Sequence, residues 1–575
     1  FHASVVGGST AHVYPSNGEN IPNLSVTDGS TSVTITGGTF NPSKSSLAND
    51  KGGINLKAAV IGGGLAYGAN TSSVLDAGSS VTIDGEKTVV NGKVVAGSVV
   101  AEDGYAAVVH GNTTLTMKNG EVSDDLIGGG MVQDAANLTA TTAGAATGEN
   151  PNAQKQPDRN LIVTGNAGVT VAGGTAKGEI VGGNYVRGDG SARVKNSTVS
   201  ITGGTFAAAA DSQNKAQYVI GGNKSMAYTG DTAKTLVEKD SGVLVNGNVN
   251  IADGAVVGGS MAKAENDGKA TATVAGNSGV QVDKGTLAGV VGGGIAETYY
   301  GGGGSAVSEV KGTSFVAING GTIKGIAYGA VAGNAGTSSA AVVGGGLANT
   351  TGSTATVGST SVTIATGTIN GKVVAGGAAI NGGTTTVTGD TFLSMTDGEV
   401  DGDLIGGGFV DMNNATDNEA NVDGSTHITV SGGSLVDAEI IGGGSVRNAN
   451  GAANVTGDTH VTVTKYANDQ VDQKWVQYVL GGGKAMTNGT QTATANVAGN
   501  TNVIIGEQGA IGEALDIKFG TVAGGGLARA QGGEGSATAT VTNANVTVHS
   551  GILSGVAGGG IAESYNTGTA TATVT

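Results

Sequence analysis

The chain has 575 residues, no Cys, 108 glycines and 5 prolines, with 13% charged and 3% aromatic residues and a formal net charge of −17. That acidity disfavours nucleic acid, whose phosphates need Lys and Arg partners, and anionic lipid surfaces. The absence of Cys excludes disulfides, and no apolar run is long enough for a membrane-spanning helix. Glycine without a triplet period is not collagen, and the abundance of Val, Ile and Thr argues against disorder.

From the N-terminus the chain repeats one unit. VVGGSTAHV at 5–13 opens it, and a polar stretch follows. The alternating segment SVTITGGTF at 32–40 comes next. Alternation predicts a half-buried strand with Val33 and Ile35 inward and Ser32 and Thr34 outward. The Gly-Gly pair after it predicts a corner. An apolar pair, Val60-Ile61, then leads into the next box, IGGGLA.

The boxes recur in chain order as Gly62, Gly63 and Gly64; Gly128, Gly129 and Gly130; Gly292, Gly293 and Gly294; and Gly344, Gly345 and Gly346. They continue as Gly406, Gly407 and Gly408; Gly442, Gly443 and Gly444; Gly481, Gly482 and Gly483; Gly524, Gly525 and Gly526; and Gly558, Gly559 and Gly560. Looser copies such as VGGSMA at 257–262 lie between them. Recurrence of this kind marks one structural unit stacked many times, so the chain can be long without a large globular core.

A longer period lies above the short one. NGKVVAG at 91–97 returns at 370–376, EIVGGNYVR at 179–187 as EIIGGGSVR at 439–447, and QYVIGGNKSM at 217–226 as QYVLGGGKAM at 477–486. The reading is two homologous, continuous blocks, 1–285 and 286–575, of seven box units each. The segment 133–160 has no counterpart in the second block and reads as an excursion able to carry binding. All five prolines fall within the first 157 residues and mark loops leaving the stack. The chain begins at Phe1 and ends within strand-like TATATVT, which reads as a segment of a longer secreted protein.

Short strands, glycine corners and a spacing of about 30–40 residues predict an all-β fold with almost no helix. That fold is a right-handed parallel β-helix, or β-solenoid. An antiparallel barrel or sandwich is the alternative. Alternating Thr stretches such as TATATV are expected to be solvated ladders and not a second core.

Nothing in the repeats specifies a reaction, so no enzyme, cofactor or metal is expected. His427, His460 and His549 point outward by alternation and lack a metal spacing. Asp124 and Asp125, echoed by Asp401 and Asp403, could serve polysaccharide cleavage. They recur as a structural element would, and no Arg, Lys or aromatic residue is expected beside them. Arg187, Gly188 and Asp189 form an RGD tripeptide as a candidate recognition element, with Trp475 as a second. Tyr218 and Tyr478 are equivalent across the blocks and are expected to fill corners.

The boxes, Thr/Val strands, absent Cys and acidity together resemble the passenger region of bacterial autotransporters and related β-helical adhesins. The resemblance is one of style over the whole chain. It implies an extracellular or outer-membrane-attached fibre acting as a stalk for adhesion or self-association. The implied partners are host or neighbouring-cell surfaces, including glycans. The alternatives are a subunit of a self-assembling filament and a polysaccharide-active β-helix enzyme.

Overall fold

In the computed structural model, the residues described are 5–12, 23–42, 57–67, 71–101, 105–133, 159–206, 217–299, 303–328, 336–337, 339–411, 413–466, 475–508, 516–565 and 567–575. Among them there is no helix. The excursion predicted at 133–160 falls almost wholly outside them.

The strands just before the boxes form one parallel sheet of fifteen strands, from Val5–Val6 to Ile552–Ala557. The strands just after the boxes form a second sheet of fifteen, from Thr10–His12 to Ile561–Tyr565. The count is one more than two sets of seven units. A third sheet of 27 strands carries the longer alternating segments. Apart from one short antiparallel pair, Ala327–Tyr328 with Gly336–Thr337, the pairings are parallel, as a β-helix requires. The stack passes unbroken across residue 285, where Val256 and Val257 pair with Val290 and Val291.

The boxes explain the close stacking. Each middle-glycine N–H donates to the middle-glycine carbonyl of the next coil. The line runs Gly8, Gly63, Gly97, Gly129, Gly183, Gly222, Gly259, Gly293, Gly345, Gly376, Gly407, Gly443, Gly482, Gly525 and Gly559, with bonds of 2.7–3.1 Å. All fifteen coils carry glycine there. A Cβ on Gly293 would lie 2.7 Å from the Gly345 carbonyl oxygen. The first box position is less strict, since Ala96 and Ala375 occupy it. At the third position Ser98, Asn184, Asn223 and Ser260 replace glycine, and their side chains accept N–H bonds from the preceding coil, such as Gly130 N to Asn184 Oδ1 at 2.8 Å.

Third-sheet strands are buried on alternate residues, with Thr31, Val33 and Ile35 inward and Ser32 and Thr34 exposed, as alternation predicts. Their inward ladder (Val33, Val81, Leu115, Val169) meets Val60, Val94, Leu126 and Ile180 of the first sheet in the main core. The first and second sheets differ, because both of their faces are buried. Ile61 faces away from Val60 and packs with Leu65, Val95, Val99 and Met131 in a second core. The paired apolar residues before each box are the sequence trace of two-sided burial.

One expectation is corrected. In Lys269–Val274 (KATATV) the threonines do face outward, but Ala270 and Ala272 face inward. They join Ala262, Ala264 and Ala296 in a thin alanine core, and Ala493, Ala495, Ala537 and Ala539 do the same further along. Small side chains allow two backbones to close on each other there.

Candidate functional site: a buried charge ladder and an outer strip

The outer faces of the first and second sheets close over the second core, and polar side chains seal the seam. Lys93 Nζ lies 2.8 Å from Asp124 Oδ1 and also contacts Asp125. Asp125 in turn accepts the Glu179 N–H at 2.9 Å. Glu179 pairs with Lys224, and Lys263 sits 3.4 Å from Glu297 and 3.8 Å from Glu179. Tyrosines are interleaved: Lys224 and Lys93 lie 4.9 and 5.5 Å from the Tyr185 ring centre, and Lys263 lies 4.8 Å from that of Tyr218. The pattern returns further along, where Lys372 meets Asp403, Lys484 lies 2.5 Å from Glu439, and Arg529 lies 2.6 Å from Glu563.

This corrects the expectation that the acids lack basic or aromatic neighbours. The lysine comes from the preceding coil, 32 residues ahead of Asp125, and the ring from the opposite sheet. Asp401, two residues from the paired Asp403, is exposed. Recurrence of Lys93 as Lys372 and of Glu179 as Glu439 was the signal that could have revealed the ladder.

Burial pushes the Asp125 carboxyl up, but Lys93 and Lys224 outweigh it and hold the pKa down at about 2. Burial also opposes the Lys93 ammonium, yet Asp125 and Asp124 keep it above the usual lysine range. Tyr185 is pushed up to about 12 by burial. Glu439 moves the opposite way to Asp125: burial and the nearby Asp403 raise it despite Lys484.

A depressed acid contributes stability above its unfolded pKa and loses it as pH falls through the folded value. For Asp125 that window runs from its ordinary 3.8 down to about 2. The urea midpoint is therefore expected to fall more steeply between these limits in the native chain than in Asp125→Asn. Equal slopes would contradict the assignment. Glu439 has the opposite sign: its contribution is present below the unfolded value and lost as pH rises through the raised one.

The predicted recognition residues are woven into the wall. Arg187 Nε donates to Tyr228 Oη at 2.6 Å, Gly188 is buried, and Asp189 Oδ1 accepts the Thr232 N–H at 3.1 Å. Trp475 Nε1 donates to Asp437 Oδ1 at 3.2 Å, which ties the indole to the preceding coil. Tyr218 is fully buried with its hydroxyl 3.0 Å from Glu297, whereas Tyr478 reaches Glu563 at 3.2 Å.

The outer face of the third sheet is a regular array. In register along the stack stand Thr198, Gly242, Gly279, Phe315, Ser361, Phe392, His427, His460 and Asn502. Phe392 stacks on His427 at 4.7 Å between ring centres, and His427 on His460 at 4.8 Å, both with 8° between planes. Sequence reading set these histidines outward but did not pair them, because 33 residues of chain separate them. Burial and His460 lower the His427 pKa, against Asp390. His110 and His549 are exposed. Beside the strip an amide line holds the coils together, with Asn196 Nδ2 on Asn166 at 2.7 Å and Asn277 N on Asp240 Oδ1 at 2.8 Å.

Compared with family models, with curated proteins and with solved structures, the chain finds no match.

Proposed function

We propose that the chain is an extracellular structural rod, carried on or released from a bacterial cell surface, that mediates adhesion or self-association. The observation that supports this most is the unbroken line of middle-glycine bonds through fifteen coils. It ties the chain into one stack, about 70 Å long at a strand spacing near 4.8 Å, with a long outer face on the third sheet. Three of the four acids that suggested catalysis, Asp124, Asp125 and Asp403, are engaged in ion pairs with Lys93 and Lys372. That engagement favours scaffold over enzyme. The style of the repeats, similar to β-helical passengers, supports the same reading.

The test uses inert beads coated with the folded chain, offered to epithelial cell layers, to bacterial cells and to one another. The expected result is attachment to at least one of these, lost when the chain is heat-unfolded before coating. Coated beads that bind no more than bare beads in all three settings would overturn the reading. Clumping of beads without attachment to cells would assign the rod to self-association.

A further inference from the structure

We infer that the outer strip of the third sheet, from Gly242 to Phe392, is a binding platform for an uncharged glycan lying along the stack. This inference rests on the adhesive reading above and names the ligand chemistry of one face.

Phe315 is 47% and Phe392 46% exposed, although each stands on a strand whose alternate residues fill the core. They lie two rungs apart with only Ser361 between them, so their backbones are about 9–10 Å apart. One face of Phe392 is covered by His427. Its other face looks over Ser361 towards Phe315. On the far side of Phe315 the ladder continues as Gly279 and Gly242, two rungs with no side chain at this position, while Gln281 and Leu244 stand two residues further along the same strands. A Cβ built on Gly279 would find its nearest neighbours, the Phe315 carbonyl oxygen and Cβ, at 3.6 and 3.7 Å, so a side chain is tolerated there in ordinary contact but none is present. Beyond Gly279, from the Gly242 rung onward, a hollow of about 300 Å³ is lined by Asn196, Thr198, Asp240 and Gly242 among others.

The chemistry is that of a sugar platform. Pyranose rings present flat C–H faces that stack on aromatic side chains, and hydroxyls around their edges that bond amides, hydroxyls and carboxylates. Aromatic rings two rungs apart supply the first, and Asn196 and Asp240 on the rim of the hollow supply the second. Charge decides the class. Asp240 and Asp390 flank the strip and offset the exposed Lys239 and Lys311 beside it, so on a chain of net charge −17 no cationic cluster is left for sulfated or sialylated chains, which favours neutral ones.

The experiment measures retention of the purified full chain on immobilised cellohexaose, maltohexaose, chitohexaose and lactose, with heparin and a sialylated glycan as charged controls. Three variants are compared. Phe315→Ala removes the central ring. Gly279→Thr puts a side chain at the bare ladder position with a good strand former and leaves the core untouched. His549→Asn alters an exposed residue away from the strip. Far-ultraviolet circular dichroism confirms that each variant is folded. The expected result is retention on at least one neutral glycan, weakened about tenfold or more by Phe315→Ala and by Gly279→Thr, and unchanged by His549→Asn. Retention equal in all variants, or confined to the charged glycans, would overturn the strip. Absence of neutral-glycan binding by a chain whose coated beads still adhere would overturn the strip and leave the adhesive rod standing. Loss of both would overturn the adhesive reading as well.

Discussion

Replacing Lys93 with methionine is expected to lower the unfolding free energy by about 3–5 kcal/mol, the usual cost of leaving one charge of a buried pair alone. Lys93 is 7% exposed and contacts two carboxylates, Asp124 and Asp125, of which Asp125 is itself buried. Without the ammonium, Asp125 keeps one backbone donor, the Glu179 N–H, and the more distant Lys224. The double variant Lys93→Met with Asp125→Asn retains an acceptor for that N–H and removes the orphaned charge, so it should recover most of the loss. With the Asp125→Asn single variant the set closes a double-mutant cycle, and the double loss minus the two single losses measures the coupling. The exposed pair Lys118–Asp84, 3.0 Å apart with half of the lysine side chain in solvent, is the control. Lys118→Met should leave stability almost unchanged, since an exposed pair is screened by solvent. Urea unfolding of the five proteins decides the matter, and a Lys93→Met loss no larger than that of the control would contradict the buried ladder.

Substitution of a single middle-box glycine should be as severe. Gly293→Ala places a methyl 2.7 Å from the Gly345 carbonyl oxygen, 2.8 Å from the Gly345 carbonyl carbon and 2.7 Å from Val357 Cγ2. Two of these are backbone atoms of the next coil, so relief requires the coils to separate and weakens the Gly293–Gly345 bond of 3.0 Å. Overpacking of this kind costs about 1–3 kcal/mol where side chains can yield, and more is expected where backbone must move. The contrast is Gly279→Ala on the outer face, where the nearest atom lies at 3.6 Å and the change should be neutral or slightly stabilising. Thermal unfolding of the pair separates a steric role for the box from a merely conformational one. Equal midpoints would show that the coils tolerate spreading at Gly293.

The fold was legible because the physics that makes it is local and repeated. Alternation in SVTI marks one buried face, and recurrence of the boxes marks the stack. What could not be read is what depends on neighbours one coil away. Lys93 and Asp125 are 32 residues apart, and His427 and His460 lie on separate strands. Neither pair has meaning until the register is fixed. The second core was written in the apolar pairs Val60-Ile61 and Ile440-Ile441, whose two side chains face opposite sides of one strand. The alanine core was hidden because Ala alternating with Thr reads as a weak pattern until both sheets are in place.

The proposed role rests on one stiff, continuous stack, and the absence of Cys makes that directly measurable. Spin labels on cysteines introduced at Ser80 and Asn502 would occupy the same outer ladder, eleven rungs apart through Thr114, Gly168, Thr198, Gly242, Gly279, Phe315, Ser361, Phe392, His427 and His460. Pulsed electron–electron double resonance should give a single narrow distance distribution centred at about 50 Å, set by the strand spacing. A broad distribution, or one centred far below that value, would mean that the coils do not form one continuous rod, and would contradict the account.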